Sequence, residues 1–579
     1  MIDFKDKKQV IFSVVFIIMA LGIASYILKD QFFKSDTASK TTTDSIDMFI
    51  NTDDGDEKID WTKYTDQDYN LTKSITISED GIYNLTGTIV DGSITINTKG
   101  NVKLVLDNVS ITNTNGPAIF VKGAEDVVIE LKDGSNNYLE DGSNYTIDTD
   151  EAGTIYSKSD LTFQGNGSLE VVSKMQDAIV SKDDLKIVSG TYKITSADDG
   201  IRGKDSVYIQ NGNFTINSGG DGIKSTNETN TEKGFIKIEN GTFNIVAELD
   251  GIQAETKMLI ENGKFDIKTG GGSTNASTND NWGRWGQSKN TSTASAKGIK
   301  ASDNLVIENG TFNFNTSDDS IHCNNYAGIK NGSFTISSGD DGIHADEELI
   351  IDNGNINITK SYEGLEASKI TINDGTINVV STDDGINVAG GNDSSSMGRP
   401  GQNNISSSSS NVLTINGGNI YVNASGDGLD ANGSIYMNGG TVKVDGPTNS
   451  GNGALDYDRT FEVNGGTLLA GGASGMAQGV SSSSKIYNVM INFNTSYSDG
   501  DTIIIVDNNG KEIISYSSSK SYSSLVVASP DFKKNQTYTI KVNGNNYQSF
   551  TTSNISTTIG NSGGMGPGGM SGGKSGGRR

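Results

Sequence analysis

Acidic side chains placed one residue before a glycine, and followed by Ile or Leu, recur along this chain. The series runs Asp199-Gly200-Ile201, Asp221-Gly222-Ile223, Asp250-Gly251-Ile252, Asp319-Ser320-Ile321, Asp341-Gly342-Ile343, Glu363-Gly364-Leu365, Asp384-Gly385-Ile386 and Asp427-Gly428-Leu429, interrupted by Lys297-Gly298-Ile299. Asp198, Asp318, Asp340 and Asp383 double the acid in some of these turns. If the turns stack, like charges meet at about 5 Å. Each pair then repels by roughly 1 kcal/mol in water and by ~3 kcal/mol at an effective dielectric of about 20. Protonation, Lys or Arg partners, or calcium can relieve this, since calcium takes about six to eight oxygens from carboxylates, carbonyls and water. Ca2+ is therefore expected at Asp198, Asp199, Asp221, Asp250, Asp318, Asp319, Asp340, Asp341, Glu363, Asp383, Asp384 and Asp427. The alternative is turn chemistry alone, each Asp capping backbone N–H groups at a solvated corner. That accounts for single Asp-Gly pairs better than for paired acids in adjacent turns.

Three residues after each acid comes a second column: Arg202, Lys224, Gln253, Lys300, His322, His344, Glu366, Asn387 and Asp430. Its parity is outward, which makes it a charged strip suited to ligand contact. Arg202, Lys224, Lys300, His322 and His344 are its candidate polysaccharide contacts. His322, His344 and Glu366 also invite a transition-metal reading, but the outer two would lie about 10 Å apart, too far for one compact coordination sphere. Arg202, beside Asp198, Asp199, Asp221 and Lys224, is the grouping closest to a catalytic one. A cation could acidify the proton next to a uronate carboxylate, and Arg202 or Lys224 could remove it in a β-elimination. Simple charge compensation of the acidic corner is the competing reading. With only 2 His in the chain, no nucleophile triad is recognisable. Trp282 and Trp285 flank Arg284 in a polar segment, where exposed indoles could stack on the C–H face of a sugar or pack down on the wall of the domain.

The elements that must carry these residues follow from the period. The acid-Gly turns recur every 21 or 22 residues, with longer intervals of 29, 47 and 43. About ten residues later a second series keeps step, in the turns before Phe214, Phe243, Phe265, Phe312, Phe334 and Ile356. Two strand-turn units per period of about 22 residues suit one coil of a parallel β-helix. The Ile or Leu after each glycine, and the small residue two further on (Ser225, Ala254, Ala301, Cys323, Ala345, Ala367, Ala431), are expected to point inward. The solenoid is expected over 61–484, with inserted loops at about 270–296 and 390–411. A small antiparallel cap is expected over 485–552, with turns at Asn508-Asn509-Gly510 and Asn543-Gly544, and a Gly-rich tail over 553–579.

A formal net charge of -26 excludes a polyanion-binding surface of the usual kind, so nucleic acid is not an expected partner. A single Cys, Cys323, permits no internal disulfide. Residues 10–28 form an apolar run after Lys5, Lys7 and Lys8, long enough for a transmembrane helix. The positive flank assigns 1–9 to the cytoplasm, 29–60 to a linker, and the β-helix to the outside of a single-pass membrane protein. A cleaved signal peptide is the competing reading. A monomer is expected.

The segments GIYNLTGTIVDGSITINT from Gly81, LVLDNVSITNTNGPAIFV from Leu104 and VVIELKDGSNNYLEDG from Val127, followed by the Asp-Gly-Ile turns, resemble a family of cell-surface carbohydrate-binding domain-containing proteins. These are cellulose- and acid-sugar-binding proteins related distantly to pectate lyases. The resemblance implies a right-handed parallel β-helix with bound calcium, and binding of cellulose or polygalacturonate-like chains. Lys297, where the column expects an acid, and Ser320, where it expects Gly, depart from the pattern. The function expected is calcium-dependent polysaccharide binding. A calcium-dependent lyase and a structural surface spacer are the alternatives.

Overall fold

Alternation of apolar with Thr, Asn and Ser residues, broken every few positions by Gly or Asn-Gly, favours many short strands over any helix. The computed structural model describes residues 59–143, 145, 152–276, 295–389 and 411–560. It is all-β, with 3-10 turns at Trp61–Lys63 and Ser273–Asn275 as the only helical elements among the described residues. One hydrogen-bonded network joins 45 of its strands.

Each repeat contributes three strands rather than the two expected. One repeat comprises Ile201–Gly203, Ser206–Ile209 and Asn213–Ser218, and the next comprises Ile223–Ser225, Phe235–Ile238 and Thr242–Ala247. Each strand pairs in parallel with its counterpart one repeat on, as in Ile201↔Ile223, Ser206↔Phe235 and Asn213↔Thr242. The strand missed in the sequence is the four-residue one, whose inward pair Val207 and Ile209 follows a turn of varied residues, Lys204-Asp205 here and a longer segment ending in Gly234 in the next repeat. The 29-residue interval arises because residues between Ser225 and Phe235 loop out without disturbing any of the three pairings.

The inward columns behave as their parity requires. Ile201, Ile223, Ile252, Ile299, Ile321, Ile343, Leu365, Ile386 and Leu429 are all completely buried, and Ala254, Ala301, Cys323, Ala345 and Ala367 sit buried beside them. Phe214, Phe243, Phe265, Phe312 and Phe334 stack in one file, with centroids 4.7–4.8 Å apart and ring planes within 3° of parallel. Burial of each such ring is worth about 1.5–3 kcal/mol. The repeat glycines are needed for close approach. A Cβ on Gly200 would meet the Gly222 carbonyl oxygen at 2.5 Å, and one on Gly222 would meet that of Gly251 at 2.5 Å.

Beyond Thr467–Gly472, the last strand of the repeats, the pairing turns antiparallel with Tyr522–Ala528, which pairs in turn with Asn488–Tyr497, itself joined in parallel to Ser556–Ile559. A separate antiparallel sheet holds Thr502–Val506, Glu512–Ser517, Thr537–Val542 and Asn545–Thr551. Its Asn543-Gly544 turn takes φ of 49° and 78°, the left-handed pair that a two-residue hairpin requires. The expected N-terminal transmembrane helix and the 561–579 part of the tail lie outside the described residues. The single-pass membrane placement is corrected: among the described residues, no helix is long and apolar enough to cross a membrane.

Candidate functional site

The acid preceding each repeat glycine does not cap a solvated corner. Its carboxylate instead reaches along the stack to the next repeat. Asp199, Asp221, Asp250 and Lys297 each donate their backbone N–H to Oδ1 of the acid one repeat before, namely Asp177, Asp199, Asp221 and Asp250, at 3.0, 2.9, 2.8 and 2.7 Å. Asp341 and Glu363 repeat this onto Asp319 and Asp341, both at 3.0 Å, as do Asp427 onto Asp384 and Gly453 onto Asp427. The ladder occupies one carboxylate oxygen per rung. What meets the second oxygen differs between the two ends of the file.

From Asp177 to Lys300, the second oxygen faces a cation of the neighbouring column. Arg202 Nη2 lies 2.5 Å from Asp177 Oδ2. Lys224 Nζ lies 2.6 Å from Asp221 Oδ2 and 3.7 Å from Asp199 Oδ2, and Lys300 Nζ 3.6 Å from Asp250 Oδ2. Burial raises Asp177 and Asp199 to about 6, partly offset by Arg202 and Lys224 respectively. Lys224 is pushed down by burial, but the charges of Asp199 and Asp221 outweigh this and raise it above its ordinary value.

In the middle, Lys297 points its buried amine at Asp319 Oδ2 (2.6 Å) and Asp318 Oδ1 (3.0 Å). His322 Nδ1 lies 2.9 Å from the same Asp319 oxygen, and His344 Nδ1 lies 3.2 Å from Asp341 Oδ2 and 3.1 Å from Glu366 Oε2. Burial acts to raise Asp319, but Lys297 and the His322 hydrogen bond hold it well below the usual carboxylate range. Burial would lower His344, yet its hydrogen bonds to Asp341 and Asp346 lift it well above the usual imidazole value.

Past His344 the cations end. Glu363, Asp384, Asp427, Asp430 and Asp456 have no Lys, Arg or His ion pair among the described residues. Burial and the charges of neighbouring acids raise Glu363, Asp384 and Asp430 well above the carboxylate range. Burial lifts Asp427 to about 7. Asn387 stands among them, only 4% exposed. It donates Nδ2–H to Glu363 Oε2 at 2.7 Å, while its Oδ1 accepts no hydrogen bond among the described residues. Glu366, Asn387, Asp430 and Asp456 are aligned rung by rung. Asn387 and Asp430 form a buried floor, and Glu363, Asp384 and Asp427 a half-buried rim.

The two ends differ in how well their donors suit a calcium ion. At the Asp177–Lys300 end the oxygens of Asp177, Asp198 and Asp199 approach one another, but Arg202, Lys224 and Lys300 already balance the second oxygens, so the arrangement does not fit. At the Glu363–Asp456 end the facing groups are carboxyls and the Asn387 amide, no Lys, Arg or His pairs with them among the described residues, and the buried Asn387 Oδ1 accepts no hydrogen bond there, which fits a hard cation.

The second column is not the exposed strip expected. Arg202, Lys224 and Lys300 are half-buried, and His322 and His344 are 3% and 1% exposed, because each side chain folds back onto the acid file. Burial of both imidazoles removes them from direct contact with a polymer on the surface. Asp198 and Asp340 stay exposed at the edge of the file, and Asp318 and Asp383 are half-buried there. Trp282 and Trp285 lie outside the described residues. Asp177 was missed in the sequence because Ala178 replaces the glycine of its turn. Asn387, Asp430 and Asp456 drew no attention as ligands because they belong to the second column, whose sign changes from basic to acidic along the chain.

An all-β protein carrying a stacked acid file on a long parallel sheet is the class defined so far. The family model of carbohydrate-binding domain-containing proteins matches residues 72–342 and 340–563, and the chain belongs to that family. It is 38% identical over 128 residues to a carbohydrate-binding domain-containing protein of Acetivibrio thermocellus, a match spanning 21% of this chain and 45% of the relative. It is also similar, at 33% identity and a TM-score of 0.35, to the solved polysaccharide lyase-like protein from C. thermocellum, a gadolinium derivative. That match covers 36% of this chain and 91% of the other.

Proposed function

We propose that this chain is a calcium-dependent polysaccharide-binding protein built on a right-handed parallel β-helix, and that its ligand is an acidic polysaccharide. The observation that carries this is the oxygen-only group at the C-terminal end of the acid file. Five raised or half-buried carboxyls follow one another there along successive rungs with no ion pair among the described residues, beside an Asn387 Oδ1 that accepts no hydrogen bond among them. Family membership supports carbohydrate as the ligand class. Asp384 and Asn387 on one rung, with Asp427 and Asp430 on the next, would hold the ion. Bound calcium supplies a positive charge that an acidic sugar carboxylate can meet from the half-buried rim. A protein of net charge -26 needs such a bridge to approach a polyanion. Arg202 and Lys224, the bases a lyase would use, are engaged by Asp177 and by Asp199 and Asp221, which favours binding over elimination.

Affinity electrophoresis through polygalacturonate tests this. Retardation is expected with calcium and not in EDTA, and Asp430→Asn is expected to weaken it. Equal mobility with and without the glycan, in calcium, contradicts the proposal.

A further inference from the structure

The middle of the acid file holds a grouping unlike either its base-balanced or its oxygen-only end. His344, on Ile343–Ile351, pairs in register with Glu366, on Leu365–Ile372, and Asp341 lies three residues before His344 on the same rung. All three side chains are buried. His344 Nδ1 lies 3.2 Å from Asp341 Oδ2 and 3.1 Å from Glu366 Oε2, and one ligand atom from each residue falls within 4.8 Å of the others. On the far side of the ring, Nε2 lies 3.1 Å from Asp346 Oδ1. Asp341 Oδ1 accepts the Glu363 N–H at 3.0 Å, which fixes that carboxylate with Oδ2 turned to the ring.

Hydrogen bonding accounts for only part of this. Nδ1 carries at most one proton, yet it faces two carboxyl oxygens at nearly equal distance. Burial, and then the charge of Asp341, drive Glu366 well above the usual carboxylate range although His344 pulls it down. One imidazole thus answers three carboxyls, those of Asp341, Asp346 and Glu366. The preceding rung is different. His322 Nδ1 meets Asp319 Oδ2 at 2.9 Å, but Lys297 Nζ already lies 2.6 Å from that oxygen, and His322 Nε2 meets the Asn324 amide rather than a carboxylate. Among the described residues, no Lys or Arg forms an ion pair with Asp341 or Glu366.

We infer that Asp341, His344 and Glu366 form a buried site for a divalent transition metal such as zinc, distinct in chemistry from the oxygen-only calcium group. A tetrahedral ion with bonds of about 2.0–2.1 Å sets its ligands roughly 3.3 Å apart, close to the two spacings around Nδ1. Imidazole nitrogen favours such metals over calcium, which takes oxygen throughout. Metal on Nδ1 replaces the ring proton there and meets both oxygens at once. Nε2–H then goes to Asp346, the carboxylate-imidazole-metal order that holds a ligating ring in place. This is not the His322, His344 and Glu366 set that rung spacing excluded, because Asp341 on the rung of His344 takes the place of His322. The ion ties two adjacent repeats together where the cation column gives way to oxygen.

Zinc titrated calorimetrically into the untagged whole protein, stripped with EDTA, dialysed and then kept in excess calcium, tests this. Calcium fills the oxygen-only group, so the two sites are read separately. One zinc site is expected, and its occupancy raises the melting temperature. Asp346→Asn is expected to weaken zinc about 10–100-fold through the orientation of the ring. His344→Gln is expected to abolish binding and His322→Gln to leave it unchanged, and with 2 His in the chain these variants cover every imidazole. Cobalt in the same site is expected to give the visible absorption of a tetrahedral ion, which a purely structural His344 would not produce. No zinc binding by the folded wild type, zinc that excess calcium displaces, or binding that survives His344→Gln or is lost with His322→Gln overturns the inference.

Discussion

The two ends of the acid file share a backbone and a hydrogen-bonded ladder, yet their charges are balanced differently. Toward the N-terminal end, Arg202, Lys224 and Lys300 answer Asp177, Asp199, Asp221 and Asp250 inside the protein. Toward the C-terminal end, the same second-column positions hold Asn387, Asp430 and Asp456, and no Lys, Arg or His pairs with Glu363, Asp384 or Asp427 among the described residues. A stacked carboxylate column is therefore an architectural device wherever a base stands beside it. On the proposed reading it becomes a calcium site only where the neighbouring column also turns to oxygen.

The largest test of this contrast lies at the boundary between the ends. Lys297→Ala removes the amine held between Asp318 and Asp319, leaving buried carboxylate charge short of a partner. We expect a loss of about 3–5 kcal/mol in urea unfolding. An effect below about 1 kcal/mol would mean the compensated half does not depend on its cations.

Asp430→Asn is expected to act with opposite sign in the two ionic states. In EDTA it replaces a carboxyl whose ionisation is opposed by burial and by the acids around it, and raises the melting temperature. In calcium it lowers the melting temperature relative to wild type, because a ligand at about 100 times its Kd stabilises by ~2.7 kcal/mol, and the variant forfeits part of that. Stabilisation in both conditions would break the contrast.

A smaller effect is expected with pH. Asp427 at about 7, and Asp177 and Asp199 at about 6, lie above the ordinary carboxylate value of about 3.9. Between about pH 4 and 7 the folded state therefore binds more protons than the unfolded one, and stability falls as pH rises. Asp319, held low, adds a loss only below about pH 4. Calcium is expected to flatten the Asp427 share of the slope and leave the Asp177 and Asp199 share, as read by melting temperature at several pH values.

Much of this was legible in the sequence, for physical reasons. Ile201, Ala254 and their counterparts declared an inward face by parity, and the glycine step marked the repeat because a Cβ at positions such as Gly200 and Gly222 would crowd the next carbonyl. The acid file was legible for the same reason. Its partners were not. Whether Arg202 points to solvent or folds back onto Asp177 is decided by the distance between rungs, which the period alone does not specify. The third strand was not legible because the turn before it varies in length and residue type from repeat to repeat, and Asp177 because an alanine fills its turn. The Asn387 oxygen became conspicuous only once its burial and its single bond to Glu363 were known.

Calcium titrated calorimetrically into the wild type, Asp221→Asn and Asp430→Asn tests the central claim most directly. The account predicts binding that Asp430→Asn weakens at least about tenfold, or ~1.4 kcal/mol, and that Asp221→Asn leaves within about twofold. Binding abolished by Asp221→Asn but untouched by Asp430→Asn, or no binding at all, would contradict it.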